Sequence, residues 1–192
     1  MEEDYLINGD IKIARGNSKG KGVYINMSLK KQWLISIVMI LLSWSSLPFL
    51  GKHNIKRFLP ASLLVVLFEA INVQIVKKKA WWIFYNKPHS YLSGEFPFNI
   101  GPFLVSALWL LKSSFGNFKK FILLNVATHA FFAFVYIRIL EKIKIARLVR
   151  INHFQFFLYF FYKSFFLYGF QYMIERIKKF KSSTVVRRPL KN

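Results

Sequence analysis

Five long apolar runs, separated by short basic clusters, dominate the pattern of hydrophobic and polar positions along the chain. They cover approximately residues 33–50, 58–76, 96–111, 121–140 and 154–174. Each run is apolar on every side, whereas a helix on the surface of a soluble protein keeps a polar face. A helix needs roughly 17 to 25 apolar residues to cross a bilayer, and four of the runs reach that length. The pattern therefore predicts an all-α, polytopic membrane bundle with five hydrophobic helical segments.

The third run, residues 96–111, is short for a crossing and is interrupted near its start by Pro97, Gly101 and Pro102. It predicts either a tilted span or a half-helix that enters the bilayer and returns. With four crossings the two sides of the membrane hold 20 and 7 Lys and Arg residues, and with five crossings they hold 14 and 13. Lys and Arg collect on the cytoplasmic side, so the prediction is four crossings with both chain ends in the cytoplasm. Five crossings remain the alternative.

The sequence divides into a basic N-terminal tail (1–32), a transmembrane domain (33–174) and a basic C-terminal tail (175–192). Met27 opens the sequence MSLKKQWLISIVMILL, in which a short basic region leads into an apolar run as at a natural start. One hypothesis is therefore that residues 1–26 are not part of the native product. Another is that the first segment is a signal peptide cleaved near the small residues Ser43 and Ser45.

The chain carries a net charge of +21 at pH 7, and its basic residues lie within a few positions of the apolar runs. Such clusters are typical of the ends of membrane helices and attract anionic headgroups, so no nucleic-acid partner is predicted. The predicted headgroup-binding residues are Lys77, Lys78, Lys79, Arg176, Lys178, Lys179 and Lys181. A protein partner or a homo-oligomer is compatible with the pattern, which identifies no contact face.

Three ionisable residues lie near the middle of apolar runs: Glu69 in the second, His129 in the fourth and Lys163 in the fifth. A charge at this depth costs about 2.5 to 3.5 kcal/mol on insertion scales unless it finds a partner or water. Asn72 follows Glu69 by three residues and Asn125 precedes His129 by four, so these five residues form a candidate midplane polar cluster. The cluster is interpreted either as a set of polar contacts that hold the helices together or as a proton- or ion-responsive site.

Glu95 and Asn99 flank the start of the third run and form a candidate half-helix site. Helix ends and unwound backbone at such positions bind ions or substrates in transporters. A single carboxylate in a loop is more often simply solvated, and this is the plainer expectation for Glu95.

The sequence lacks the motifs of known catalytic sites: there is no phosphate-binding glycine loop and no nucleophile elbow. It has no cysteine, and its four histidines are scattered, so no catalytic residue, metal site or cofactor is predicted. The leading prediction is a non-enzymatic accessory, sensory or lipid- or partner-binding subunit of the bacterial inner membrane. The alternative is a small ion- or proton-coupled transporter that uses Glu69, His129 and Lys163, and a third is an intramembrane enzyme acting on lipid.

Overall fold

The computed structural model describes residues 29–84, 95–143 and 145–186, which form a helical bundle with a small two-stranded sheet at one end. The hypotheses about residues 1–26 lie outside the described residues. The elements are α1 (Leu29–Trp44), α2 (Leu47–Leu50), α3 (Lys52–Lys79), β1 (Trp82–Phe84), α4 (Phe96–Phe98), π1 (Asn99–Phe103), α5 (Leu104–Ser114), α6 (Phe118–Phe131), π2 (Phe132–Tyr136), α7 (Ile137–Lys142), β2 (Ala146–Leu148) and α8 (His153–Val186). Here π1 and π2 are single π-helical turns within longer helical runs, and the predicted helical class is confirmed.

Three helical stretches are long and apolar enough to cross a membrane, namely Trp33–Leu50, Lys52–Lys79 and Phe118–Lys142. Their outer faces expose large apolar side chains, among them Leu42 and Leu123. Exposed apolar surface of this extent is not typical of a soluble monomer and marks contact with a membrane or a partner. These three stretches identify the chain as a membrane protein.

The bundle has two ends, which we call the sheet end and the tail end. At the sheet end, β1 follows α3 and pairs in antiparallel register with β2, which precedes α8, so that Trp82 lies opposite Leu148. At the tail end, Arg57 near the start of α3 lies 2.6 Å from Glu175 in α8, measured from Nε to Oε1. Helices α3 and α8 are therefore antiparallel, and α8 runs from the sheet end to the tail end.

The third apolar segment forms one helical run from α4 through π1 to α5 and extends along the whole bundle. At the sheet end, Oε2 of Glu95 lies 3.0 Å from the Lys77 ammonium near the end of α3. At the tail end, Lys112 in α5 donates a hydrogen bond of 2.8 Å to the carbonyl of Phe49, just before α3 begins. The segment thus finishes at the opposite end of the bundle from its start instead of turning back.

Gly101 bends this helical run where α1 crosses it. Its φ of −90° and ψ of −105° are not helical, and the indole of Trp44 donates to the carbonyl of Ile100 at 2.9 Å. A Cβ built at Gly101 would lie 3.2 Å from Cα of Ile40 in α1. The glycine is therefore required for the close approach of two backbones, and the interrupted sequence produces a kink rather than a helix end.

Two helices are longer than their apolar runs predict. α3 begins at Lys52, six residues before the apolar run starts at Phe58, so Pro60 lies inside the helix. The polar residues that precede the apolar run are therefore also helical. α8 likewise continues to Val186, well past residue 174.

The core lies between α3, α5, α6 and α8. Its fully buried apolar side chains include Val65, Leu108, Leu111 and Phe121. Aromatic rings of α8 fill much of the remaining space, as where Tyr168 meets Phe121 with ring centroids 4.9 Å apart. This packing places the middle of α8 against the middle of α3 and α6.

Candidate functional site

A buried ion pair joins the middle of α3 to the middle of α8. Lys163 donates to Oε2 of Glu69, and each residue exposes only 1% of its surface. Tyr159, one helical turn before Lys163, donates its hydroxyl proton to the Glu69 carboxylate at 3.2 and 3.3 Å. Because the charges neutralise each other and the carboxylate gains a further donor, the pair can persist without water.

Aromatic rings enclose the ammonium on its remaining sides. The Lys163 nitrogen lies 3.2 Å from the ring centroid of Tyr159 and 4.6 Å from that of Phe160. A cation over an aromatic face is stabilised by the ring quadrupole, most strongly where water is excluded. Tyr159 thus contacts both members of the pair, with its hydroxyl on the carboxylate and its ring on the ammonium.

A second polar network begins at the next residue of α8. The hydroxyl of Ser164 donates to Oδ1 of Asn125 at 2.8 Å, and Nε2 of His129 lies 3.0 Å from the same hydroxyl oxygen. Since the serine proton is used toward Asn125, Nε2 of His129 must carry the proton and donate it. Asn125 in turn donates to the carbonyl of Phe121 at 2.8 Å, so the network has one consistent direction.

The structure distributes the five residues of the predicted midplane cluster over these two networks. Glu69 and Lys163 meet in the first, and Asn125 and His129 belong to the second. Asn72 takes part in neither by the bonds observed, because its amide donates to the carbonyl of Phe68 within its own helix at 2.8 Å.

Two members of these networks, Tyr159 and Ser164, were not assigned to a site from the sequence. Tyr159 lies four residues before Lys163, a spacing that places two side chains on one face of a helix. That spacing was the available signal, and the many other aromatic residues of the same helix concealed it. Ser164 was visible only as a neighbour of Lys163, since its partners come from a different helix.

A small cavity lies beside the two networks, between α3, α5, α6 and α8. Its volume is about 10 Å³, the room of about one water molecule. Val65, Phe103 and Leu167 contribute to a lining that is almost entirely apolar. The cavity therefore offers no space for a solute larger than water next to Lys163.

The predicted half-helix residues occupy a buried position at the sheet end. Glu95 is 6% exposed, so it is not the solvated loop carboxylate that the sequence favoured. Besides its contact with Lys77, it accepts a hydrogen bond of 3.4 Å from the indole of Trp82. The Trp82 ring packs on Tyr159 at 5.4 Å, which places it between the Glu95 pair and the central ion pair. Asn99, also buried, donates its backbone N–H to the Glu95 carbonyl at 2.9 Å.

The residues predicted to bind headgroups lie at both ends of the bundle. Lys78 and Lys79 are exposed at the sheet end, while the Lys77 side chain is mostly enclosed beside Glu95. The others are exposed on the last turns of α8 at the tail end, namely Arg176, Lys178, Lys179 and Lys181.

The charged contact at the tail end joins the start of α3 to α8 beyond its apolar run. The hydrogen bond from Arg57 holds the pKa of the Glu175 carboxyl below its usual range. Gln171, one turn earlier in α8, donates to the same carboxylate oxygen at 2.9 Å. Both charged side chains remain partly exposed, so this contact is screened by water and salt.

Within residues 29–84, 95–143 and 145–186, no group of three or more His, Asp or Glu side chains is arranged to hold a metal ion. No protein-family model, no curated protein and no solved structure matches the chain.

Proposed function

We propose that the protein is a non-enzymatic membrane subunit, a helical bundle that binds anionic lipid through its basic ends. The observation that carries this proposal is the length of α8, whose last part continues beyond the apolar run. At about 1.5 Å per residue its 34 residues extend for about 51 Å, well beyond a hydrocarbon core of about 30 Å. The helix therefore has enough length to reach the headgroup region past the tail end.

The chemistry of this extension suits the surface of an anionic membrane. Met173, Ile177 and Phe180 recur along one side of the helix, and Phe180 is 74% exposed. Arg176, Lys178, Lys179 and Lys181 surround this apolar stripe. Helices with an apolar stripe and a basic remainder are typical of segments that lie in the interface of anionic bilayers.

The internal networks support a structural role for the polar residues of the bundle. Glu69 and Lys163 neutralise each other, and Ser164 links α8 to α6 through two hydrogen bonds. Such contacts select one packing of apolar helices that would otherwise slide against each other. In this proposal they fix the bundle that presents the basic ends.

The lipid proposal is tested with a fluorophore on a single cysteine at position 180, because the chain has no native cysteine. In nanodiscs that contain phosphatidylglycerol, the probe should enter the interface and leave it at high salt. Each basic residue near an anionic surface contributes about 1 kcal/mol, so Lys178→Gln/Lys179→Gln/Lys181→Gln should weaken the association roughly 100-fold. The matched control is Lys119→Gln/Lys120→Gln, which changes exposed lysines on another helix. Equal probe depth in phosphatidylcholine and phosphatidylglycerol would contradict the proposal.

We further propose that the third segment crosses the membrane, which makes five crossings and puts the two chain ends on opposite sides. The support is that the third segment contacts α3 at the sheet end through Glu95 and reaches the tail end at Lys112. Single cysteines at positions 54, 119 and 181 should then react with an impermeant thiol reagent from one side, and a cysteine at 152 from the other. Reaction of 54 together with 152, on the side opposite to 119 and 181, would instead mean that the third segment does not cross.

A second candidate function is ion- or proton-coupled transport through Glu69, His129 and Lys163. The observation in its favour is that the two networks contain consecutive residues of α8, Lys163 in the first and Ser164 in the second. The double variant Glu69→Gln/Lys163→Met, which leaves neither charge unpaired, should then abolish flux in proteoliposomes while the fold is retained, and Glu175→Gln should leave flux unchanged. Retained flux in the double variant, or no flux in the wild type for any ion tried, removes this candidate.

A further inference from the structure

The two-stranded ribbon and the loop that follows it place Arg147 and Arg150 at the sheet end, and the headgroup prediction included neither of them. Strand β1 pairs with β2 so that Ile83 lies opposite Arg147. Trp82 and Ala146 are buried toward the bundle. Because side chains alternate along a strand, Arg147 and Ile83 lie on the opposite face, away from these two residues.

Arg147 is the unexplained residue of this ribbon. Its Nε–H is buried and has no hydrogen-bond partner among the described residues. A buried donor without an acceptor is unfavourable, and a guanidinium presents its donors in a planar fork that matches the oxygens of phosphate. The Nε–H of Arg147 therefore needs an acceptor such as a phosphate oxygen.

The chain around Arg147 supplies further positive charge at the same level. The backbone N–H groups of Val149 and Arg150 both donate to the carbonyl of Trp81, at 2.9 and 3.3 Å, which folds the loop after β2 over the end of α3. Nη1 of Arg150 reaches the carbonyl of Lys79 at 3.4 Å. The ammonium of Lys79 lies 5.7 Å from the ring centroid of Trp81.

The acidic groups near the ribbon are already engaged. Oε1 of Glu141 accepts the backbone N–H of Leu148 at 3.2 Å, and Glu95 is paired with Lys77. Tryptophan side chains are enriched at headgroup level, where Trp81 and Trp82 would place the ribbon. Arg147, Arg150 and Lys79 thus make the surface of the sheet end basic, and a headgroup position of the tryptophans would bring this surface near lipid phosphates.

We propose that this surface, which we call the ribbon site, binds one phosphate group of a lipid headgroup, with Arg147 as its main ligand. The proposal rests on the lipid-binding function proposed above but uses the opposite end of the bundle from the α8 extension. A free phosphate ion offers the same oxygens to the guanidinium, so the test must separate the two sources.

The test counts lipids that remain bound to the detergent-purified full-length protein by native mass spectrometry. Phosphatidylglycerol should be retained over phosphatidylcholine by the wild type, and Arg147→Gln and Arg150→Gln should each weaken retention at least tenfold. Arg147→Lys keeps the positive charge but loses the planar guanidinium, so its lipid retention should lie between that of the wild type and that of Arg147→Gln. Lys142→Gln, an exposed lysine close to the ribbon in sequence, should behave as wild type.

Inorganic phosphate provides the second arm of the experiment. Loss of bound lipid at millimolar phosphate shows that a free phosphate ion can occupy the site, and unchanged retention shows that the site takes the phosphate group of an intact lipid. Retention unchanged in both Arg147→Gln and Arg150→Gln overturns the ribbon site. The α8 variant then shows how far this failure extends. If Lys178→Gln/Lys179→Gln/Lys181→Gln still loses the interfacial probe signal, only the ribbon site is wrong. If that variant also behaves as the wild type, the proposed lipid-binding function is wrong as well.

Discussion

Replacing Lys163 by methionine removes the positive member of the buried ion pair at nearly constant side-chain length. Glu69 then keeps only the Tyr159 hydroxyl among its observed donors. An ionised carboxylate in this enclosed position is so unfavourable that it takes up a proton instead. An ordinary glutamate titrates near pH 4.3, and each pH unit corresponds to about 1.36 kcal/mol. We therefore expect the variant to lose about 3.7 kcal/mol of unfolding free energy at pH 7 but only about 1 kcal/mol at pH 5.

The complementary variant, Glu69→Gln, should show the opposite pH dependence. It leaves the Lys163 ammonium without its carboxylate, so the amine must lose a proton, which costs about 4.6 kcal/mol at pH 7 and less as the pH rises. The double variant Glu69→Gln/Lys163→Met carries neither charge and keeps an oxygen acceptor for Tyr159. Apolar replacement of a complete buried pair is often neutral or stabilising, so we expect it within about 1 kcal/mol of the wild type.

These free energies are measured by reversible unfolding in mixed micelles, followed by circular dichroism at pH 5, 7 and 9. The double variant controls for altered packing, because it contains both substitutions without an isolated charge. A loss for Lys163→Met that is the same at pH 5 and pH 7 would refute the reasoning. So would a double variant whose loss equals the sum of the two single losses, since the residues would then not be coupled.

Three further substitutions test contacts between helices. Ser164→Ala removes the hydroxyl that links α6 to α8 and should cost about 1–2 kcal/mol in the same unfolding assay, with Ser164→Thr recovering most of it. Gly101→Ala places a Cβ 3.2 Å from the α1 backbone and should cost about 1–3 kcal/mol of unfolding free energy. In the control Gly169→Ala the new Cβ meets nothing within 4 Å, so this variant should be neutral or gain up to about 1 kcal/mol. Equal effects of the two substitutions would contradict the close approach of α1 to Gly101. The lowered pKa of Glu175 stabilises the fold above the ordinary value of about 4.3 and ceases to do so as the pH falls through the lowered value. In Arg57→Gln an NMR titration should find the Glu175 pKa higher than in the wild type, and an unchanged titration would contradict the contact.

The apolar runs predicted the helical class and the membrane location because lipid contact requires side chains that are apolar on every side of a helix. They did not predict where the helices end. Hydropathy marks the part of a helix that lies in hydrocarbon, and both α3 and α8 continue into polar sequence. A solvated helix end keeps its backbone hydrogen bonds and needs no apolar residues, so nothing in the pattern distinguishes it from a loop.

Contacts between distant parts of the chain were beyond the sequence. β1 and β2 have three residues each, and the pairing of Trp82 with Leu148 has no local signal. The kink at Gly101 depends on Trp44 and Ile40, which come from another helix. Pro and Gly near a helix start were therefore compatible with a helix end, a half-helix or a bend, and only the packing of α1 distinguishes these outcomes.

The central polar residues were easier to anticipate, because a charge at membrane depth needs an opposite charge nearby. That argument selects Glu69 and Lys163, the only carboxylate and the only ammonium near the middle of their apolar runs. It does not select Tyr159 or Ser164, since neutral hydroxyl groups at this depth carry a much smaller penalty and are common in membrane helices.

The Glu69–Lys163 pair also has a consequence for the order of events during biogenesis. Its members are 94 residues apart, so at roughly 5–20 residues per second Glu69 leaves the ribosome about 5–20 s before Lys163. During that interval α3 carries an uncompensated carboxylate, at a cost of about 2.5–3.5 kcal/mol for entry into lipid. Until α8 has been made, α3 therefore depends on the insertion machinery or on earlier helices to keep the Glu69 carboxylate out of contact with lipid. Nascent chains that stop before α8 lack the Lys163 ammonium that neutralises this carboxylate. These truncated chains are the forms that quality-control proteases should remove.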